Sequence, residues 1–259
     1  VKTTRLPTFS EPCPYVAGKT SIGEYLPGEA LFRDYEALIP LGWRRSGNML
    51  YRYRCEDCSL CIPIRLRASK ILAGKRFGRL KRVNRDISIE LLPANFRRDH
   101  FTLYEKYIRT RHKGTFSVAD TSDSSLESSY RGMLEAPMAA ISEYRDASGK
   151  LCATGFLDIL PNGLSSVYFS FDPDEGRRSL GSYSIFAESE MALRRGIEYY
   201  YLGFWVPRAA TMDYKADFPP FQLSVPGENG REAGGEPPIW KEFPNKSAAL
   251  SWLSAISHR

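Results

Sequence analysis

The stretch from residue 139 to residue 206 constrains the fold more than any other. AAISEYRD, LCATGFLDIL and LSSVYFSFD are three runs rich in apolar, β-branched and aromatic residues, punctuated by turns at Ser148-Gly149 and Asn162-Gly163. Alternating polarity around Asn-Gly predicts a meander of antiparallel strands. The third run passes through PDEGRRSLG into SYSIFAESEMALRRG. There Ile185, Ser189 and Ala192, with Phe186 and Leu193 beside them, mark one face of a helix that Gly196 is placed to stop. IEYYYLGFWV then reads as a further strand. The expected class is α+β with a mixed central sheet.

The remainder of the 259 residues leaves room for one large or two modest domains. A composition of 42% hydrophobic and 13% aromatic residues excludes wholesale disorder. No apolar run approaches the roughly 18 to 20 residues of a membrane span, and no leader pattern opens the chain, so a cytoplasmic protein without a membrane partner is expected. Residues 1–64 are rich in Pro, Gly and aromatics and read as a loop-rich module with short strands such as NMLYRYR. ISIELLP reads as a strand, and NFRRDHFTLYEKYIRTRH as a helix with Phe101, Tyr104, Tyr107 and Ile108 at helical spacing. VADTSDSSLESSYRGML is expected to hold a loop and a short helix.

The net charge of +6 is unevenly placed. Residues 65–85 carry nine Lys or Arg and no acid; without them 27 basic residues face 30 acidic ones. Such a run is either a solvated face or a track for a polyanion. Four of the five cysteines form a second pattern: Cys55, Cys58 and Cys61 lie in a C-x2-C-x2-C run, and Cys13 is the natural fourth member. In a reducing compartment this spacing points to zinc or an iron–sulfur cluster rather than disulfides, with free thiols in a tight turn as the plain alternative. Cys152, inside a strand, is expected in the core.

Strand, basic Gly-containing loop, helix and strand form the core unit of the GNAT fold, whose loop and helix N-terminus attract an anionic group. Arg178, Ser179, Leu180 and Gly181 fit the first half of the acetyl-CoA fingerprint [QR]-x-x-G-x-[GA], but Tyr183 stands where a small residue belongs. The scaffold fits better than that cofactor, and no organic cofactor is expected.

Four segments carry a closer likeness: CPY at 13–15, YRYRCEDCSLCIPIR at 51–65, FDPDEGRRSLGSYSI at 171–185 and YYLGFWVPRAATMDYKADF at 200–218. In order and spacing the chain resembles the bacterial aminoacyl-tRNA–protein transferases, the leucyl and arginyl transferases of the N-degron pathway. The resemblance implies a small Cys-containing N-terminal domain (1–70) and a GNAT-like transferase domain (71–221) with the basic track at the junction. It fades past residue 221, where QLSVPGENGREAGGEPP reads as a flexible linker (222–239) before a C-terminal helix (240–259) that docks on the body.

The implied reaction moves leucine or arginine from aminoacyl-tRNA to the α-amine of a protein beginning with Asp or Glu, marking it for degradation. The partners are therefore aminoacyl-tRNA and acceptor N-termini. An α-amine with a pKa of about 7.7 to 8.0 needs little base strength, so positioning, oxyanion stabilisation and protonation of the leaving ribose hydroxyl dominate. The expected donor site comprises Arg178, Ser179, Leu180, Gly181, Tyr201, Gly203, Trp205 and Tyr214, with aromatic stacking on the terminal adenine. Lys215, in the family's Tyr-Lys pair, is expected to stabilise developing charge, and Asp158 and Tyr168 to orient the amine or relay its proton. Arg76, Arg79, Lys81 and Arg82 are the expected tRNA contacts. His112, at a helix end where basic side chains are favoured anyway, is not taken as the base. Asp217 replaces a basic residue of the family pattern and is expected to bear on specificity. The likeness also strengthens Cys13, Cys55, Cys58 and Cys61 as metal ligands. A CoA-dependent N-acetyltransferase and a noncatalytic RNA-binding protein are the competing readings.

Overall fold

The computed structural model describes residues 6–27, 34–71, 75–111, 122–225 and 237–257. Among them a small antiparallel sheet contains β1 (Thr8–Pro12), β2 (Thr20–Pro27), β3 (Arg44–Ser46) and β4 (Met49–Tyr53), in the order β1-β2-β4-β3. A larger sheet contains β5 (Ile62–Arg67), β6 (Ser88–Pro93), β7 (Ala139–Arg145), β8 (Leu151–Leu160), β9 (Gly163–Phe171), β10 (Tyr199–Trp205), β11 (Phe221–Val225) and β12 (Ile239–Phe243). Its order is β12-β11-β5-β10-β9-β8-β7-β6. The helices are α1 (Tyr35–Leu38), α2 (Lys75–Val83), α3 (Arg98–Arg111), α4 (Asp123–Leu134), α5 (Leu180–Arg194) and α6 (Lys246–Ser257).

The meander forms as its turns dictate: β7, β8 and β9 pair antiparallel in succession, with Gly149 at φ +84° in the first turn. Because α5 carries the chain back across the sheet, β10 can lie parallel to β9. This is the strand–loop–helix–strand unit expected from the sequence, and it makes the larger sheet mixed. Gly196, at φ +72°, ends α5, with its N–H and that of Ile197 donating to Leu193 and Ala192 carbonyls. Leu193 itself is exposed rather than on the buried face.

Alternating side chains send β8 residues to two cores. Phe156 joins Phe101, Tyr104, Leu126 and Tyr130 beneath α3 and α4, whereas Leu157 joins Leu180, Phe186 and Ala192 beneath α5. Cys152 lies in the second core, fully buried. On that side α5 also buries a carboxylate: Glu188 accepts hydrogen bonds from Ser142 Oγ at 2.8 Å, Tyr144 Oη at 2.9 Å and Tyr200 Oη. Gly155 makes room for it, since a Cβ there would come within 2.6 Å of Glu188 Oε1.

Three boundaries differ from the sequence reading. β5, inside the segment assigned to the N-terminal module, sits between β10 and β11 in the larger sheet because Ile62, Ile64 and Leu66 belong to its core. The segment read as linker begins inside β11, and Ile239 opens β12, whose pairing with β11 satisfies backbone groups that a free linker would leave to water. Residues 226–236 of it lie outside the described residues. The C-terminal helix, α6, accordingly starts at Lys246 rather than 240.

Candidate active site

The parallel pairing of β9 and β10 covers Gly163–Ser165 against Tyr199–Tyr201 and then ceases, although both strands continue. Each is irregular just past that point. β9 shifts register against β8 around Val167, and β10 shifts against β5 between Tyr201 and Phe204. Gly203 accommodates the second irregularity at φ +83°, a left-handed conformation that a side chain would strain. The two strands thus part like a wedge, and a short 3-10 turn, Asp213–Asp217, carries Tyr214 and Lys215 to it.

Lys215 Nζ lies 3.5 Å from the point where a Cβ on Gly203 would stand. No carboxylate is paired with it among the described residues. Lys215 is half-buried as a residue, yet its ammonium end is closely surrounded by protein. That desolvation, with Arg44 nearby, lowers its pKa to about 7. Arg44, on β3, is buried and donates to the carbonyls of Ile39, Trp43 and Gly203, with its guanidinium over the rings of Tyr201 and Phe204. The small sheet therefore supplies one wall of the wedge. Tyr214, beside Lys215 in the turn, is exposed as a residue, while desolvation around its phenol end raises it to about 12.

Beside the wedge is a surface cleft of about 450 Å³ lined by Arg76, Arg79, Leu80, Ser179 and Ser182. It joins the basic track to the Gly-containing loop, two features 100 residues apart in sequence. Part of the track folds as α2, which buries Leu80 and leaves Arg76, Arg79, Lys81 and Arg82 exposed, while Arg65 and Arg67 lie in β5. Asn84 Nδ2 donates to the Arg178 carbonyl at 3.0 Å, and Arg178 forms two 2.8 Å bonds to Asp86, so the loop and the end of α2 are locked together. Ser179, at φ 52°, precedes the first turn of α5; its carbonyl accepts from the Ser182 and Tyr183 N–H groups at 2.9 Å, which leaves those of Leu180 and Gly181 without a helical acceptor. Arg79 and Arg82 have no acidic partner among the described residues. Tyr183, the residue that departs from the CoA fingerprint, turns its ring into the core and does not cover the loop.

Several expected site residues do other work. Asp158 is fully buried and takes a bidentate ion pair from Arg45 of β3 at 2.8–3.0 Å; burial raises its carboxyl while Arg45 opposes that rise. It fastens the small sheet to the large one and offers the wedge no free oxygen. The Arg178 guanidinium is likewise engaged, by Asp86 and Glu175, and Leu180 is core. Trp205 is buried, its indole N–H on Asp213, so it cannot present a ring for stacking; buried Tyr201 takes a hydrogen bond from Arg65. Asp217, expected to meet a substrate, already faces Lys246 at 2.6 Å and Arg76 at 3.6 Å. Tyr168 packs against Tyr104 and Tyr107, with burial raising its phenol. His112 lies outside the described residues. Arg44 escaped the sequence reading because an Arg-Arg pair before a turn carries no signal of burial.

The four cysteines of the small module are neighbours: burial first, and then Cys13, Cys55 and Cys58, push the Cys61 thiol up to about 12. Four thiols gathered in one module are a donor set that suits a soft metal. No three of these sulfurs fall within 4.8 Å of one another, so a ligand shell would require them to draw together, and Cys55 Sγ would have to leave the Ile22 backbone N–H and carbonyl that it meets at 3.4 and 3.6 Å. The described residues that do meet that spacing are Asp99, His100 and Glu143, but Arg97 and Arg145 already neutralise these carboxylates.

Residues 11–79 match the family described as arginine-tRNA-protein transferase, N terminus, and residues 99–225 its C terminus. The chain is 35% identical over 213 residues to an aspartate/glutamate leucyltransferase of Pseudomonas putida, covering 78% of this chain and 89% of that one. A protein of the same name from Nitrosococcus oceani is 34% identical over 215 residues, covering 82% and 89%. Among solved structures, the crystal structure of FemX is similar at a TM-score of 0.45 and 11% identity, over 74% of this chain and 66% of that one. Both family halves lie here in order, the first supplying Arg44 and the second Gly203 and Lys215 to one wedge: the chain belongs to the arginine-tRNA-protein transferase family.

Proposed function

We propose that this protein transfers an aminoacyl group, leucine or arginine, from tRNA to the α-amine of proteins that begin with Asp or Glu. The observation that carries the reading is the desolvated Lys215, without a carboxylate partner among the described residues, at the parting of β9 and β10, beside an Arg-lined cleft. The cleft takes phosphates of the tRNA 3′ end, through Arg76, Arg79, Ser182 and the first N–H groups of α5. The ester carbonyl then lies in the wedge, and the acceptor amine attacks its carbon. As the C–N bond forms, the carbonyl oxygen becomes an oxyanion; as it collapses, the bond to the ribose oxygen breaks. The amine's proton must leave and the ribose oxygen must gain one. A lysine with a pKa of about 7 can accept the first proton and return the second near neutral pH. Its charged form also faces the oxyanion.

The test offers purified protein with tRNA charged with each of several labelled amino acids, with labelled acetyl-CoA as a rival donor, and peptides differing only in their first residue. Transfer from leucyl- or arginyl-tRNA to Asp- and Glu-initiated peptides is expected. Acetyl transfer alone would overturn the reading. Because Asp217 is held within the chain, an Asp217→Arg variant in the same panel is expected to lose rate without changing its preferred donor.

We also propose that Cys13, Cys55, Cys58 and Cys61 hold a zinc ion or an iron–sulfur cluster that ties the loop after β1 to the loop after β4. Protein purified anaerobically is expected to carry metal on elemental analysis; a metal-free, colourless protein with full activity would sink this.

A further inference from the structure

We propose that Lys246, in the C-terminal segment beyond the family match, is a positioning residue that clamps the turn carrying Lys215. The proposal rests on the transferase reading above. Lys246 Nζ, at the start of α6, lies 3.0 Å from Asp213 Oδ2 and 2.6 Å from Asp217 Oδ1. These two aspartates are the first and last residues of the five-residue 3-10 turn. One ammonium therefore grips both ends of the turn, with Lys215 between them.

The turn has reason to need a clamp. The hydrogen-bond geometry of 3-10 structure is poor, which makes a run of five residues uncommonly long, and Met212 supplies no side-chain cap. An ammonium held in a desolvated place without an anion gains by swinging outward to water. Opposing that swing, Asp213 is also bonded to the indole N–H of buried Trp205 at 3.1 Å and to the backbone N–H of Arg208 at 3.2 Å. Asp217 receives Arg76, which donates to its backbone carbonyl at 3.2 Å, reaches Ser182 Oγ at 3.4 Å and lies over the Phe218 ring. The turn is thus anchored to the core by Asp213, to the cleft by Arg76, and across its two ends by Lys246. α6 is itself seated by Trp252 on Phe243 and by Ala249 in the core, so the clamp has a firm base.

Displacing a reacting group by about 1 Å can cost on the order of 100-fold in rate. Lys246→Met keeps the aliphatic stem and removes the grip. It is expected to lower kcat at least about tenfold while KM for aminoacyl-tRNA stays within about twofold. Lys246→Arg, able to reach both carboxylates, is expected to restore most of the loss. Glu242→Gln removes a different ion pair of the same segment, Lys70–Glu242 at 2.8 Å, and is expected to leave kcat unchanged. Thermal unfolding is followed for each variant, and Lys246→Gln replaces the methionine variant if that one melts below assay temperature. Wild-type kcat in the charge-removed variant, a deficit that arginine does not relieve, or an equal loss in Glu242→Gln would overturn the proposal. Failure of the wild type to transfer from any aminoacyl-tRNA would instead overturn the function reading.

Discussion

Replacing Lys215 with methionine is expected to lower kcat/KM for aminoacyl transfer on the order of 100-fold and, at the same time, to stabilise the protein in mild acid. The activity loss follows from removing both the proton acceptor and the charge facing the oxyanion. The stability gain follows from the lowered pKa. Lys215 in the folded chain loses its proton near pH 7, whereas in the unfolded chain it keeps it until near 10.5. Between those values the unfolded state binds more protons, so this group makes wild-type stability rise with pH. Below pH 7 the fold must hold a desolvated ammonium, a cost the methionine variant lacks. Its melting temperature should therefore exceed wild type most at about pH 6, with the gap closing toward pH 10. In the rate profile the acceptor amine contributes its own bend near 7.7 to 8.0, present in both proteins, while the bend near 7 should vanish in the variant. A variant that is both active and no more stable would remove Lys215 from the chemistry.

The second large effect concerns stability. Arg45→Met leaves the Asp158 carboxylate buried between β3 and β8 with no partner, which should cost about 3 to 5 kcal/mol of unfolding free energy. Asp158→Leu together with Arg45→Met removes both charges and should recover most of that, since a buried pair often contributes little beyond an apolar substitute. Urea midpoints read the energies, and transfer assays on the double variant read the role. A folded, stable double variant that still transfers supports Asp158 as a fastener. One that is folded but inert would return Asp158 to the catalytic list on which its strand position first put it.

Asp158 shows where sequence reasoning stopped. Asp158 and Tyr168 lie on neighbouring strands, but a strand position fixes only the face and not the partner. Nothing in the local spacing around Arg44 and Arg45 says that one would stack over Tyr201 and the other reach Asp158. Trp205 looked like a stacking platform because its motif neighbours a substrate site, yet only the packed core shows its ring shut in. The basic run was visible as charge, but with few apolar residues it gave no helical pattern, and the folding of its Lys75–Val83 part as α2 depends on Leu80 finding the core under α5. β11 and β12 were hidden for a similar reason: the Gly and Pro residues between them dominate the segment, and the strands are held by cross-strand pairing rather than by local preference.

Periodicity and turn chemistry were enough to determine the meander, α3, α5 with its Gly196 stop, and the strand after it, because those signals are local. Motif order was enough to determine the family. The tertiary structure alone decided which charges are available. It paired Asp158, Arg178 and Asp217 within the chain, left Lys215 desolvated near Arg44, and set α2 against the Arg178 loop, because the partners that decide this, Arg45, Asp86, Lys246, Arg44 and Asn84, lie 29 to 171 positions away in the chain. The charge surplus of residues 65–85 is sequence; that Arg76 and Arg79 line one cleft while Arg65 is buried against Tyr201 and Lys70 and Lys81 meet glutamates is fold.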